Sequence, residues 1–263
     1  MNKRLLLIST IAIVVVIMGG LAFWNWFLGS AQTASGPLQP VPLQDSPSTS
    51  TPAAQAVGAQ ASATQAFATE AASGGQAAAT TSPDGLPVFQ ISQSDSKAQF
   101  TIYEELMGNP NNVVGVTSQV AGQIGVNLND LSTAKVGEIQ VDARSLATDS
   151  NMRNRMIQNR ILNTGNYEYV TFAPTQISGL SGSAKIGQSF QFQITGNLTI
   201  QDVTKPVTFA VTAQAVSNSQ ISGKATATIQ RSDFNLQIPS VPRVANVGEQ
   251  VALEIDFVAN AGN

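Results

Sequence analysis

Phe190-Gln191-Phe192-Gln193-Ile194-Thr195-Gly196-Asn197-Leu198-Thr199-Ile200 sets apolar side chains at alternate positions, with Gln, Thr and Asn between them. Successive side chains of a β-strand point to opposite faces of its sheet, so this stretch reads as a strand with one dry and one wet side. The pattern recurs downstream. Val207, Phe209, Val211, Ala213 and Ala215 share one face, as do Ile221, Ala225, Ala227 and Ile229, and again Val251, Leu253, Ile255 and Phe257. Upstream, Phe100, Ile102 and Leu106 alternate in the same way, followed by Val120, Ile124, Val126 and Leu128, then Ile139 with Val141, and Val170 with Phe172.

These runs predict about eight strands, separated by turn formers at Asn109-Pro110-Asn111, Asn129-Asp130, Ser181-Gly182, Ser217-Asn218 and Asn246-Val247-Gly248. A set of antiparallel strands with one apolar face each closes that face away from water, either as a barrel or as a two-sheet sandwich. One helix interrupts the series. Asp149 or Ser150 is placed to cap it, and Met152, Met156, Ile157, Ile161 and Leu162 fall on one stripe, away from Arg153, Arg155 and Arg160. The Met-rich stripe fits either ordinary core packing or an adaptable lid. Pro239-Ser240-Val241-Pro242-Arg243 reads as a rigid loop between the last two strands.

The chain around this domain has a different character. Leu5 to Leu28 is apolar apart from Ser9, Thr10 and Asn25, and a helix of that length spans a hydrocarbon core of about 30 Å. Lys3 and Arg4 precede it and no basic residue follows until Lys97, which orients the N-terminus towards the cytoplasm and the rest outside. Residues 1–29 are therefore expected to be a single-pass transmembrane anchor, with a signal peptide cleaved near Gly29-Ser30-Ala31 and a secreted product as the alternative. Residues 30–85, rich in Ala, Ser, Thr, Pro and Gln, are expected to be a disordered linker, because they offer too little apolar surface to offset the entropy of ordering. The domain proper is then 86–260.

Composition removes whole classes of function. With no Cys and no His, zinc sites, haem ligation, iron–sulfur clusters, thiol nucleophiles, disulfides and Ser-His-Asp hydrolysis lack their side chains. A net charge of −3 gives no footprint for a nucleic acid. No carboxylate or Lys constellation emerges from sequence order, and Glu104 and Glu105, as strand neighbours, face opposite sides. No cofactor, metal site or catalytic residue is expected.

The run Thr195-Gly196-Asn197-Leu198-Thr199-Ile200-Gln201-Asp202-Val203-Thr204-Lys205-Pro206-Val207 resembles the most recognisable motif of the YceI-like proteins. Further stretches match that family in order: Val114-Gly115-Val116-Thr117 with Gly122-Gln123-Ile124, Val141-Asp142-Ala143-Arg144-Ser145-Leu146, the helix, Val170-Thr171-Phe172-Ala173-Pro174-Thr175, and Arg231-Ser232-Asp233-Phe234. The resemblance implies an all-β, eight-stranded antiparallel lipocalin-like barrel with one short amphipathic helix. It also implies an exported bacterial, non-enzymatic protein whose lumen holds a long isoprenoid or fatty-acyl chain, with a carrier, storage or stress-related role. Where better-known members carry a His near the strand at Phe100–Leu106, this chain has Glu104 and Glu105.

On that basis the lumen wall is expected to comprise Phe100, Ile102, Ile124, Ile139, Phe172, Phe192, Ile194, Phe209, Ala225, Ala227, Ile229 and Phe257. The alanines at 213, 215, 225 and 227 either leave space for a ligand or simply fit the taper of the barrel. Glu104 is in phase with Phe100 and Ile102, and is expected inside near a strand end, meeting a headgroup or pairing with Arg231 or Arg144. Tyr167 and Tyr169 are candidates for the rim, and Met152 and Met156 for a lid. The expected partners are an apolar lipid, such as an isoprenoid quinone, polyprenol or fatty acid, and the membrane; homodimer formation stays open. The competing reading is a surface-displayed interaction module with a filled, ligand-free barrel.

Overall fold

Alternation this regular makes a sheet that must hide its apolar face, and here it does so by curling. The computed structural model describes residues 32–34, 36–43, 82 and 84–262. The strands are β1 (Val88–Ile91), β2 (Lys97–Leu106), β3 (Asn109–Thr117), β4 (Val120–Ala121), β5 (Gln123–Asn127), β6 (Asp130–Val136), β7 (Ile139–Asp142), β8 (Tyr169–Ser178), β9 (Ser189–Ile200), β10 (Val203–Ser217), β11 (Gln220–Gln230), β12 (Val244–Ala245) and β13 (Gln250–Ala261). Every pairing is antiparallel, in the order β4-β7-β8-β9-β10-β11-β13-β1-β5-β6.

The sheet forks at β13, whose Val251–Asp256 half pairs with β2 while its Ala259–Ala261 end pairs with β1. β3 extends the β2 branch. Two contacts draw the branches back towards β8: Val116 and Ala147 exchange backbone hydrogen bonds of 2.9 and 3.0 Å, and Leu131 and Ala184 donate to Gly182 and Leu128 at 2.8 and 2.7 Å. Register shifts at Gly125/Asn127, Pro174/Gln176 and Ala215/Ser217 sharpen the bend, as bulges do. The result is a strongly curled, lipocalin-like antiparallel sheet around one apolar core.

Among the described residues thirteen strands stand where about eight were expected. Strands of two or four residues, such as β4, β12 and β1, are too short to show an alternation that a sequence scan can separate from chance. The proposed turn at Asn109-Pro110-Asn111 is instead the start of β3, and the reversal falls at Met107-Gly108, both at positive φ (53° and 80°). Pro110 is tolerated because it lies at the strand's beginning.

The helix is short. In α1 (Asn151–Met156), Ser150 accepts from the Arg153 N–H at 3.5 Å, and a π-helical turn at Ile157–Ile161 continues it. Met156 and Ile157 face the core.

Part of the expected linker lies against the domain. Leu38 and Leu43 are buried, at 6% and 7% exposure. The Gln93 side chain holds the Leu38 backbone from both sides, accepting from its N–H (3.3 Å) and donating to its carbonyl (2.6 Å), while the Leu43 N–H donates to Gln123 Oε1 at 2.9 Å. Pro37, Pro40 and Pro42 restrict the chain before it docks and leave no N–H to be satisfied, whereas composition alone reads such a stretch as disorder. The anchor expected at residues 1–29 and most of the linker lie outside the described residues; among those described, no helix is long and apolar enough to cross a membrane.

Candidate functional site

Three phenylalanines of the inner face lie over glycines of neighbouring strands. A Cβ on Gly115 would overlap the Phe100 ring, one on Gly223 would come within 2.6 Å of the Phe257 ring, and one on Gly196 within 2.7 Å of the Phe172 ring. Each ring therefore lies close against the wall, covering backbone that glycine leaves bare. The interior is not filled. A cavity of about 590 Å³ lies between the sheet, α1 with its π turn, and the 236–247 segment, and a second of about 120 Å³ lies against β5, β6, β9 and β10.

Phe100, Ile102 and Ile229 line the larger cavity; Ile124, Phe192, Ile194, Ala225 and Phe257 line the smaller; Ile139, Phe172 and Phe209 line both. Met152 and Met156 face the larger cavity from α1, with Met152 43% exposed and Met156 buried. Ala227 shares the inward phase but lines neither cavity and packs against the core cluster instead. Tyr167 and Tyr169 do not border either space. Tyr169 donates to Glu168 at 2.9 Å, and Glu168 pairs with Arg144 at 3.2 Å.

Glu104 points inward, 6% exposed, into the larger cavity. Its partner is neither Arg231 nor Arg144. Arg153 of α1 meets Oε1 at 3.0 Å and Asn111 donates to the same oxygen at 3.0 Å, while Arg153 also binds Asp149. Arg231 is engaged elsewhere, with Glu249 at 3.0 Å and the carbonyls of Gly248 and Leu236. Glu104 is therefore a latch between β2 and the helix that roofs the cavity, with its charge compensated. The pairing spans 49 residues, and no local signal connects the two.

The roof itself was not legible. Ile238, Val241, Val244 and Val247 close the cavity from the segment around the Pro239–Arg243 loop, which lies before β12. Their spacing follows neither a strand nor a helix period, so only the fold reveals their common direction. Gln214 is the one polar residue bordering the smaller cavity, whereas the larger has Glu104, Arg153 and Ser150 beside α1 and Gln99, Thr171, Arg231, Ser240, Arg243 and Glu254 elsewhere in its lining. Among the described residues no group of three or more His, Cys, Asp or Glu side chains is placed to hold a metal ion.

A YceI-like domain model matches residues 89–259, well over half of the chain. The chain belongs to the YceI-like family. Its fold is similar to that of a polyisoprenoid-binding domain from Saccharophagus degradans implicated in plant cell wall breakdown (13% identity, TM-score 0.53, covering 67% of this chain and 99% of that one). It is also similar to BcnA of Burkholderia cenocepacia (20% identity, TM-score 0.50, covering 65% and 99%). At these identities the likeness is one of fold. Among curated proteins, none matches the chain. In this YceI-like domain the motif Thr195–Val207 forms the hairpin end of β9 and β10, whose inner face carries Leu198 and Ile200 to the floor of the larger cavity.

Proposed function

We propose that the domain is a non-enzymatic lipid holder, enclosing the hydrocarbon chain of an isoprenoid or fatty-acyl lipid in the larger cavity. The 590 Å³ of apolar space carries this reading. A preformed, mostly apolar cavity with a minority of polar lining residues is the kind of site that a long amphiphile requires. Each methylene withdrawn from water contributes about 0.8 kcal/mol, so a chain enclosed over much of its length offsets the cost of association without further contacts. The similarity in fold to a polyisoprenoid-binding domain supports the same class of ligand. The polar end of the lipid lies by Arg153 and Ser150, under α1.

In the same proposal residues 5–28 hold the protein in the cell membrane with the domain on the outer side, and it carries or stores a lipid taken from that membrane. Organic extraction of the purified full chain, followed by mass spectrometry, is expected to recover a long-chain apolar lipid in near-stoichiometric amount. A protein that neither carries nor takes up such a lipid from vesicles overturns the reading. Recovery of the full chain in the soluble rather than the membrane fraction overturns the anchoring.

A further inference from the structure

Two compartments of the interior meet at one pair of rings. Phe172 on β8 and Phe209 on β10 stand edge to face, with centroids 4.9 Å apart and planes at 69°. Both are buried and both border both cavities, together with Ile139 and Ile255. Neither ring has easy freedom. Phe172 is bedded on Gly196 at the distance given above, and the edge-to-face contact adds a preference for this mutual orientation.

The compartments differ in kind as well as size. The larger lies under α1 and gathers the charged groups, whereas the smaller is apolar save for Gln214. An amphiphile therefore enters head last, with its tail directed at the Phe172–Phe209 pair. The smaller compartment offers only about a fifth of the larger one's volume, about 120 against 590 Å³, so a chain tip gains little by reaching it. That gain is too small to repay moving two packed rings.

We propose that Phe172 and Phe209 form a stop that sets the longest hydrocarbon chain the domain accepts. The inference rests on the lipid-holding reading and specifies it. Chains up to the length of the larger compartment are enclosed fully; longer ones leave their excess at the mouth, exposed to water, and are selected against.

Loading the full chain in competition with a ladder of straight-chain polyprenols of increasing length, read by native mass spectrometry, tests this. The wild type is expected to show a sharp upper limit. Phe209→Ala joins the compartments and is expected to move that limit up by at least one isoprene unit, and adding Ala225→Phe, which refills the smaller compartment, is expected to bring it back. Phe209→Leu and Phe172→Leu, which keep most of the packing, are expected to shift the limit in the same direction and serve if the alanine variant does not fold. An identical limit in the wild type and in the folded variants, all carrying polyprenol, overturns the stop and leaves the lipid-holding reading intact. A wild type that binds no polyprenol or other long-chain lipid overturns both.

Discussion

The Phe100 ring lies against Gly115, its registered partner on β3, so closely that no other residue fits at 115 without moving the ring. Glycine in a strand ordinarily weakens it, and replacing it with alanine usually stabilises. Here the sign reverses. Gly115→Ala is expected to push Phe100 into the larger cavity, destabilising the domain by about 1–3 kcal/mol as overpacking does and lowering its lipid occupancy. Urea denaturation and extraction of bound lipid measure the two effects. Adding Phe100→Leu should recover much of both; a Gly115→Ala protein of unchanged stability would show that the ring has somewhere else to go.

The Glu104–Arg153 pair gives a second prediction. Glu104 is buried whereas Arg153 is one-fifth exposed in its side chain. Removing the cation strands a carboxylate in an apolar wall, while removing both charges does not. Arg153→Met is therefore expected to destabilise by roughly 2–4 kcal/mol, and Glu104→Gln in the same protein to restore a large part of it, because Gln still accepts from Asn111. Since the pair ties α1 to β2, the single variant should also release lipid faster. Stopped-flow transfer of a fluorescent fatty acid to vesicles reads that rate, and an unchanged rate would detach the latch from entry.

The alternation in β9, β10, β11 and β13 made the sheet and its inner face legible in sequence, because each strand runs for eleven residues or more and repeats the pattern many times. Phe172, Phe209 and Phe100 were legible as wall residues for the same reason. What was hidden is whatever depends on non-local approach. Arg153 becomes the partner of Glu104 only when α1 folds over β2, and Ile238 and Val241 face inward only because their loop crosses the mouth. Ala227 shows the opposite failure: its phase is right, but phase cannot tell a wall of the cavity from the packed core between walls.

The docked stretch at Leu43 leads to a prediction about local stability. Its side chain occupies a notch between Gly125 and Gly137, where added Cβ atoms would sit 3.0 and 3.3 Å from Leu43 methyls. Apart from this notch, the buried Leu38 and the hydrogen bonds to Gln93 and Gln123 hold residues 36–43, and the segment is expected to open on its own, with a free energy well below that of global unfolding. Leu43→Asp should abolish amide protection over 36–43 in hydrogen exchange while the melting temperature of the domain moves by only a few degrees. Gly137→Ala should do the same more weakly. Loss of the whole fold in Leu43→Asp would instead make this stretch part of the core.

Asp256 and Lys224 predict the pH dependence. Partial burial works against the Asp256 carboxylate, but hydrogen bonds from Lys224 and from Lys97 (ion-pair distances 3.1 and 3.2 Å) outweigh it and hold its pKa below the usual range. A depressed carboxylate stabilises the fold above its unfolded pKa of roughly 4, and the stabilisation is lost as pH falls through the lower folded value. Glu249, lowered by hydrogen bonds from Ser232 and by Arg231, acts in the same direction. Lys224 is raised, first by its hydrogen bond to Glu254 and then by Asp256, so its contribution is full below its unfolded pKa of roughly 10 and fades as pH rises through the folded value. Stability measured by urea denaturation is therefore expected to be flat from about pH 5 to pH 9, to fall on both sides, and to fall less steeply in acid for Asp256→Asn. All these groups lie at or near the surface, so the effects should shrink in high salt. An acid limb identical in Asp256→Asn and the wild type would assign the loss to other carboxylates.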